Sequence, residues 1–177
     1  MTPLRYKRRA GAVCLLSKAN EDTGTILCSS LRGERSLEPI VTYRGTVFPW
    51  HCDHMGHMNV MWYVGKFDEA TWHLMAAIGI TPSYIRDAQT GMAGVQQNIT
   101  YKRELFAGAI VEIRSHIVSI AEKKIVFVHE MRDAERDEVC AVCELTAVHI
   151  DRTTRRASPI PQEVRTRADS LLKPRPI

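Results

Sequence analysis

The chain has 177 residues, of which 45% are hydrophobic and 25% are charged, as is typical of a soluble globular domain with its own core. The formal net charge is +4, but residues 41–150 carry thirteen acidic and ten basic residues, so the basic excess lies in the two ends. Because nucleic-acid-binding domains carry a basic patch on the folded body, we expect no nucleic-acid partner. No segment is apolar over the length of a membrane span, so we expect no membrane partner either.

Cysteine usage indicates a reducing compartment. The five cysteines are odd in number and irregular in spacing, which is a poor disulfide framework. We therefore expect a cytoplasmic protein. Cys140 and Cys143 resemble a redox or zinc pair, but their surroundings predict a strand. Residues three apart on a strand point to opposite faces, so we do not expect these two thiols to share a metal.

The first part of the chain predicts an extension, a strand and a long helix. Residues 1–40 show no clear hydrophobic period, and we interpret them as an irregular N-terminal extension. Val41 to Phe48 predicts a first strand. Asn59 is a good helix N-cap, and apolar residues then recur in steps of three and four from Val60 to Ile78. Gly79 stands where a helix stop is expected.

The second part predicts four strands joined by short turns, at 93–105, 109–120, 125–132 and 139–150. This order predicts an α+β fold in which an antiparallel five-stranded sheet wraps one long helix. Exposed sheet edges need cover, which favours pairing of two chains. The folded domain is expected at 41–160. Residues 161–177 are interpreted as a basic C-terminal tail with a short helix.

Reactive side chains concentrate between Trp50 and Asn59, immediately before the long helix. Asp53 is the only carboxylate in this loop. The first turn of a helix has unpaired N–H groups and a partial positive charge, which can hold a substrate carbonyl while a carboxylate reacts. A loop aspartate before a helix is more often only a cap. Histidines and a cysteine in the loop could ligate zinc, but their spacing fits no closed set of four ligands, and we expect no metal.

The motif Asp53-x-x-Gly56-His57-x-Asn59 is followed by Tyr63 and by the segments 67–70, 101–108 and 148–156. With these residues, the region 41–160 resembles the hotdog-fold acyl-CoA thioesterases of the 4-hydroxybenzoyl-CoA thioesterase type. The resemblance implies a hotdog fold, a homodimer or homotetramer with its site between subunits, an acyl-CoA substrate and no cofactor.

The resemblance also implies roles for single residues. Asp53 matches the catalytic aspartate, and the backbone N–H of Val60 matches the group that polarises the thioester carbonyl. Asp53 would act as a nucleophile or as a general base, and the sequence leaves both open. Gly56, His57 and Asn59 would shape the loop. The chain departs from many members at His51, where they carry a second acid, and at Val60, where they carry Asn or His.

Substrate recognition is less defined by the sequence. A polar and aromatic loop, including Trp50, favours a short or polar acyl group, with a cationic group such as betainyl as one option. Arg155 and Arg156 are candidates for the CoA phosphates, because arginine can donate two hydrogen bonds to a phosphate. Two alternatives stay open: a non-catalytic acyl-CoA-binding module, and a hotdog dehydratase of 3-hydroxyacyl carriers. The His-Phe-Pro-Gly loop typical of those dehydratases is absent.

Overall fold

A computed structural model describes residues 39–173 of the chain. Residues 1–38 of the extension predicted for 1–40 lie outside the described residues. The described part contains five strands, three α-helices and one short 3-10 turn. In chain order these are β1 (Ile40–Thr46), the 3-10 turn (Pro49–His51), α1 (Val60–Ala77), α2 (Pro82–Asp87), β2 (Thr90–Tyr101), β3 (Ile110–Ile120), β4 (Lys124–Asp133), β5 (Glu138–Asp151) and α3 (Gln162–Asp169).

The five strands form one antiparallel sheet in the order β1-β3-β4-β5-β2, so β1 and β2 are its edges. One face of the sheet is apolar because the strand period is two. On β4, for example, Ile125, Phe127 and Met131 are fully buried, as their alternation predicts. The α+β fold predicted from the sequence is confirmed.

Helix α1 begins where it is predicted to begin and ends one residue before the predicted Ile78, which is its C-cap. It begins at Val60, and the side-chain oxygen of the N-cap Asn59 accepts a hydrogen bond from the Met61 N–H. It ends at Ala77, and Gly79 follows with a φ of +96°. That left-handed conformation favours glycine, which explains why the helix stops there.

The buried face of α1 differs from the predicted face in a few positions. Tyr63, Phe67 and Leu74 are buried against the sheet, as expected, but Val64 is exposed and Lys66 is buried. The Lys66 ammonium donates a hydrogen bond to the Tyr43 hydroxyl at 2.8 Å and lies 5.1 Å from the centre of the Tyr43 ring. These contacts replace water around the buried charge, which periodicity alone cannot anticipate.

Two further helices, α2 and α3, follow α1 in the described residues. The sequence predicts a short helix in the tail, but it predicts no element in the stretch after Gly79. The stretch after Gly79 contains α2, with Thr81 as its N-cap. Helix α3 lies in the predicted tail, but its Val164 and Ala168 are buried in the same hydrophobic cluster as Ile78. The segment after residue 160 therefore contributes to the core. None of the helices in the described range 39–173 is long and apolar enough to span a membrane.

A bulge in β5 changes the expected placement of the two neighbouring cysteines. The register with β4 shifts so that Met131 pairs with Ala141 and Arg132 with Val139, which leaves Cys140 without a partner residue. Both Cys140 and Cys143 are therefore buried in one hydrophobic cluster, rather than on opposite faces. Burial raises the pKa of both thiols, so they are poor metal ligands or nucleophiles at neutral pH.

Candidate active site

The reactive loop is a tight turn closed on itself. Cys52 and Met58 form an isolated antiparallel bridge. Inside it, the Asp53 N–H donates to the His57 carbonyl at 3.1 Å and the Gly56 N–H donates to the Asp53 carbonyl at 3.0 Å. Gly56 has a φ of +83°, a conformation that other residues adopt only with strain. The turn thus fixes the backbone of Asp53.

Both oxygens of the Asp53 carboxylate accept hydrogen bonds. Oδ1 accepts from the Met55 N–H at 2.9 Å, and Oδ2 accepts from the Asn59 side-chain amide at 2.9 Å. The hydrogen bond from Met55 and, to a smaller extent, that from Asn59 lower the pKa of Asp53 below its ordinary value. The carboxylate is therefore ionised at neutral pH, and its orientation is fixed.

Asn59 connects this carboxylate to the start of α1. Its amide nitrogen donates to Asp53 while its oxygen caps the helix through the Met61 N–H. In the described range, the N–H of Val60, the first helical residue, has no hydrogen-bond partner. An ionised carboxylate next to a free helical N–H can attack or activate water while the N–H stabilises an oxyanion.

A groove of about 290 Å³ opens beside Val60. It is lined by His57, Met58, Val60, Tyr63, Tyr101, Lys102, Arg103 and Glu104. Asp53 is outside this lining and is joined to it through Asn59. The His57 Nε2 lies 3.6 Å from a Glu104 oxygen, so these two lining side chains approach each other in the groove.

The segment Tyr101–Glu104 forms a part of the groove that the loop motif does not predict. The resemblance includes this segment, but it implies no role for Lys102 or Arg103. The signal was its position at the end of β2, the first strand after α1. Because β2 ends beside the start of α1, this segment brings two cations to the groove.

His51, at the position where the resemblance implies a second acid in many thioesterases, has a structural role. Its Nδ1 accepts a hydrogen bond from the Phe48 N–H at 3.1 Å, and its ring lies 4.2 Å from that of Trp62. Burial, followed by the nearby Lys66 charge, lowers the pKa of His51. A neutral imidazole held in this way cannot take the part of a carboxylate. Within residues 39–173, no group of three His, Cys, Asp or Glu side chains is placed to hold a metal ion.

Trp50 lies outside the groove. Its side chain is 67% exposed and stacks on Phe48 with ring centres 4.5 Å apart. Trp50 is therefore a surface residue of the reactive loop and does not line the groove.

Arg155 and Arg156 are far from Asp53 within this chain. They are exposed in the turn that follows β5, where Asp151 pairs with Thr90 at the start of β2. The groove is at the other end of this ladder, where Ala141 pairs with Tyr101, ten residues away. At the ordinary rise of a strand this is about 33 Å. The two arginines and Asp53 are not brought together in one chain.

Comparison with known proteins agrees with this architecture. Residues 47–168 match the model of the thioesterase-like superfamily. The chain is 28% identical over 133 residues to a betainyl-CoA thioesterase from Pseudomonas aeruginosa, covering 75% of this chain and 83% of that protein.

Solved structures share the fold at lower identity. A hypothetical protein from Staphylococcus aureus in complex with CoA superposes with a TM-score of 0.71 at 18% identity, over 78% of this chain and 88% of that one. A 1,4-dihydroxy-2-naphthoyl-CoA thioesterase from Synechocystis gives 0.66 at 18% identity, over 74% and 96%. The narrower 4-hydroxybenzoyl-CoA type stays a prediction. The chain belongs to the thioesterase-like superfamily and is a thioester hydrolase of the hotdog fold.

Proposed function

We propose that this protein hydrolyses short or polar acyl-CoA thioesters, with Asp53 as the reacting carboxylate. The observation that carries this proposal is the Asn59 side chain, which joins the ionised Asp53 carboxylate to the N-terminus of α1. The thioester carbonyl oxygen would accept a hydrogen bond from the Val60 N–H. The CoA arm would lie in the groove toward Lys102 and Arg103.

Two reaction routes fit this geometry. In the first, an Asp53 oxygen attacks the carbonyl carbon, the C–S bond breaks, and CoA leaves as a thiolate that takes a proton from solvent. Water then hydrolyses the mixed anhydride and restores the carboxylate. In the second, Asp53 removes a proton from a water molecule whose oxygen attacks the carbonyl directly. In both routes the helix N-terminus stabilises the developing oxyanion.

Release of free thiol from a panel of acyl-CoAs by the purified protein tests the activity. A single turnover in ¹⁸O-labelled water then separates the routes. The nucleophilic route predicts ¹⁶O from the enzyme in the first acid released, if water attacks the aspartyl side of the anhydride. The general-base route predicts ¹⁸O in that acid at once. No thiol release from any substrate would contradict the proposal.

The identity of the acyl group is part of the proposal. The P. aeruginosa relative is a betainyl-CoA thioesterase, so betainyl-CoA is the first substrate to assay. Non-catalytic binding and dehydration are the competing functions, and thiol release excludes both. The phosphates of CoA are proposed to meet Arg155 and Arg156, which can reach the Asp53 site of this chain only from a second subunit.

We further propose a homodimer or homotetramer built through the β2 edge. Val95 on β2 is 60% exposed, and Val64 and Trp72 on the neighbouring face of α1 are 41% and 54% exposed. An apolar patch beside a free strand edge favours pairing with a second copy. The folded domain is proposed to span 41–160 with α3 packed on it, and a cytoplasmic location follows from the free thiols of the described cysteines.

A further inference from the structure

The second turn of helix α1 contains a buried cation. Lys66 is 4% exposed, and its ammonium donates hydrogen bonds to the Tyr43 hydroxyl at 2.8 Å and to the Thr46 carbonyl at 3.4 Å. Among residues 39–173, no carboxylate lies within ion-pair distance of this ammonium. Burying a charge costs free energy, and two neutral oxygens offset that cost less well than a counter-ion does. Lys66 is therefore a costly choice if its role is structural alone.

The contact between this lysine and Tyr43 depends on Gly45. The Tyr43 ring folds back along β1, and a Cβ at Gly45 would overlap its hydroxyl and ring carbons. The glycine thus leaves the space in which the hydroxyl reaches the Lys66 ammonium, which also lies 5.1 Å from the centre of the ring. Residues of β1 and α1 together hold the charge in one place.

The buried ammonium lies where β1 leads into the reactive loop. Thr46, whose carbonyl accepts from it, is the last residue of β1. Two residues later, the Phe48 N–H donates to His51 Nδ1 at 3.1 Å, and the His51 carbonyl accepts a hydrogen bond from the Asn59 N–H at 2.9 Å. Asn59 is the residue that orients the reacting carboxylate. A short series of contacts thus connects the ammonium to the candidate active site.

The hydrogen bond from Phe48 depends on the protonation state of His51. Nδ1 can accept this bond only when that nitrogen carries no proton, which requires a neutral imidazole. Burial and, to a smaller extent, the Lys66 charge lower the pKa of His51. The rings of Phe48, Trp50 and Trp62 lie around the imidazole, and within residues 39–173 Lys66 is the charged group that acts on it. The cation therefore favours the form of His51 that anchors the loop.

We propose that Lys66 is a positioning residue for the hydrolysis, which holds the end of β1 and keeps His51 in its neutral, loop-anchoring form. This inference rests on the proposed function, in which Asp53 is the reacting carboxylate. Lys66 does not line the groove, so it acts through the loop and not by contact with the substrate. Its loss should therefore lower kcat and leave KM nearly unchanged.

Lys66→Met separates this role from a purely structural one. Methionine keeps an unbranched stem and removes the charge. Because the variant exchanges a buried charge without a counter-ion for an apolar side chain, the melting temperature should stay the same or rise. The carboxylate at the end of the loop should nevertheless be less well oriented, and kcat should fall by about 10-fold. A purely structural lysine would instead lose stability and activity together.

Two further variants make the comparison specific. Tyr43→Phe removes the hydroxyl that accepts from the ammonium but leaves the charge in place, so kcat should fall less than in Lys66→Met. Lys123→Met is the matched control, because this lysine is exposed in the turn between β3 and β4. It should keep the wild-type kcat. An equal loss of kcat in Lys123→Met and Lys66→Met would overturn the inference, because the position of the charge would then not matter.

NMR titration of the His51 ring separates this inference from the proposed hydrolysis. The ring should titrate at higher pH in Lys66→Met than in the wild type, because the nearby cation no longer opposes protonation. An unchanged His51 titration would overturn the role of Lys66 and leave the hydrolysis standing. A fall in kcat with a matching fall in melting temperature would do the same. A shifted titration in a protein whose wild type releases no thiol would instead overturn the hydrolysis alone.

Discussion

The Asn59 amide donates a 2.9 Å hydrogen bond to Asp53 Oδ2, while the oxygen of the same side chain caps helix α1. One residue thus sets both the direction of the carboxylate and the start of the helix whose first residue, Val60, lines the groove. Both hydrogen bonds are made by the same rigid, planar amide group of Asn59. A displacement of the Asp53 carboxylate would therefore also displace the oxygen that caps α1, and the reverse holds as well.

Asn59→Ser separates these two tasks. Serine is an equally good N-cap, so the melting temperature should stay close to that of the wild type. Its hydroxyl cannot also reach Asp53, so the carboxylate should lose its orientation and kcat should fall by about 10- to 100-fold. Losing this donor also raises the pKa of Asp53, which should move the acid limb of the kcat/KM profile to higher pH.

The control for this experiment is Asn59→Ala, which removes both bonds. It should lose the same activity and, in addition, about 1 kcal/mol of stability. Unchanged kcat and acid limb in Asn59→Ser would show that Asn59 is only a cap.

Removal of the two arginines after β5 tests phosphate recognition. Arg155→Ala/Arg156→Ala should raise KM for acyl-CoA with little change in kcat, because phosphate contacts bind ground and transition states alike. The rise should shrink with added salt. Arg136→Ala, in another exposed turn, is the control. An unchanged KM at low ionic strength would show that both arginines are solvated surface residues that do not bind CoA.

The fold was largely predictable from periodicity. The cap at Asn59, the stop at Gly79 and the alternation of β4 are local signals, and each is confirmed. Lys66 and Cys140 were misplaced because their burial depends on partners distant in sequence. Lys66 is held by Tyr43 of β1, and Cys140 moves inward through a bulge against β4.

The candidate site was predictable in one half only. Asp53 and Val60 are close in sequence, so the loop motif alone predicts that they belong to one site. The opposite wall, with Lys102 and Glu104, reaches them only through the return of β2 beside α1.

Acid should destabilise the protein through His129. Burial, followed by the nearby His116, lowers the pKa of His129 to about 3 in the folded state, against about 6.5 in an unfolded chain. The neutral form therefore stabilises the fold above pH 6.5, and this stability is lost as the pH falls from there toward 3. The loss should approach 1.4 kcal/mol per pH unit.

Urea denaturation between pH 7.5 and 4.5 measures this loss. His129→Gln, which keeps hydrogen-bonding capacity toward Ser115 and Thr71 but does not titrate, should flatten the dependence. The exposed His73→Gln should retain the wild-type dependence. Equal pH slopes for all three proteins would contradict the role of His129.

The two edge strands provide a matched test of assembly. Val95 on β2 and Val41 on β1 are both exposed, at 60% and 46%. Val95→Lys should weaken the proposed dimer, because a buried charge at a paired edge is unfavourable, and activity should fall with it. Val41→Lys should leave the mass unchanged in light scattering. A wild-type protein that is monomeric and fully active would contradict the proposed pairing.

The central claim is that the Asp53 carboxylate performs the hydrolysis, and kcat of Asp53→Asn measures it most directly. The amide preserves the size of the side chain and can keep the loop folded, so the melting temperature should hardly change. We predict a loss of about 10²- to 10⁴-fold in kcat for thiol release, while His54→Gln, an exposed neighbour in the same loop, should stay within a few-fold of the wild type. Near-wild-type turnover by Asp53→Asn would contradict the assignment.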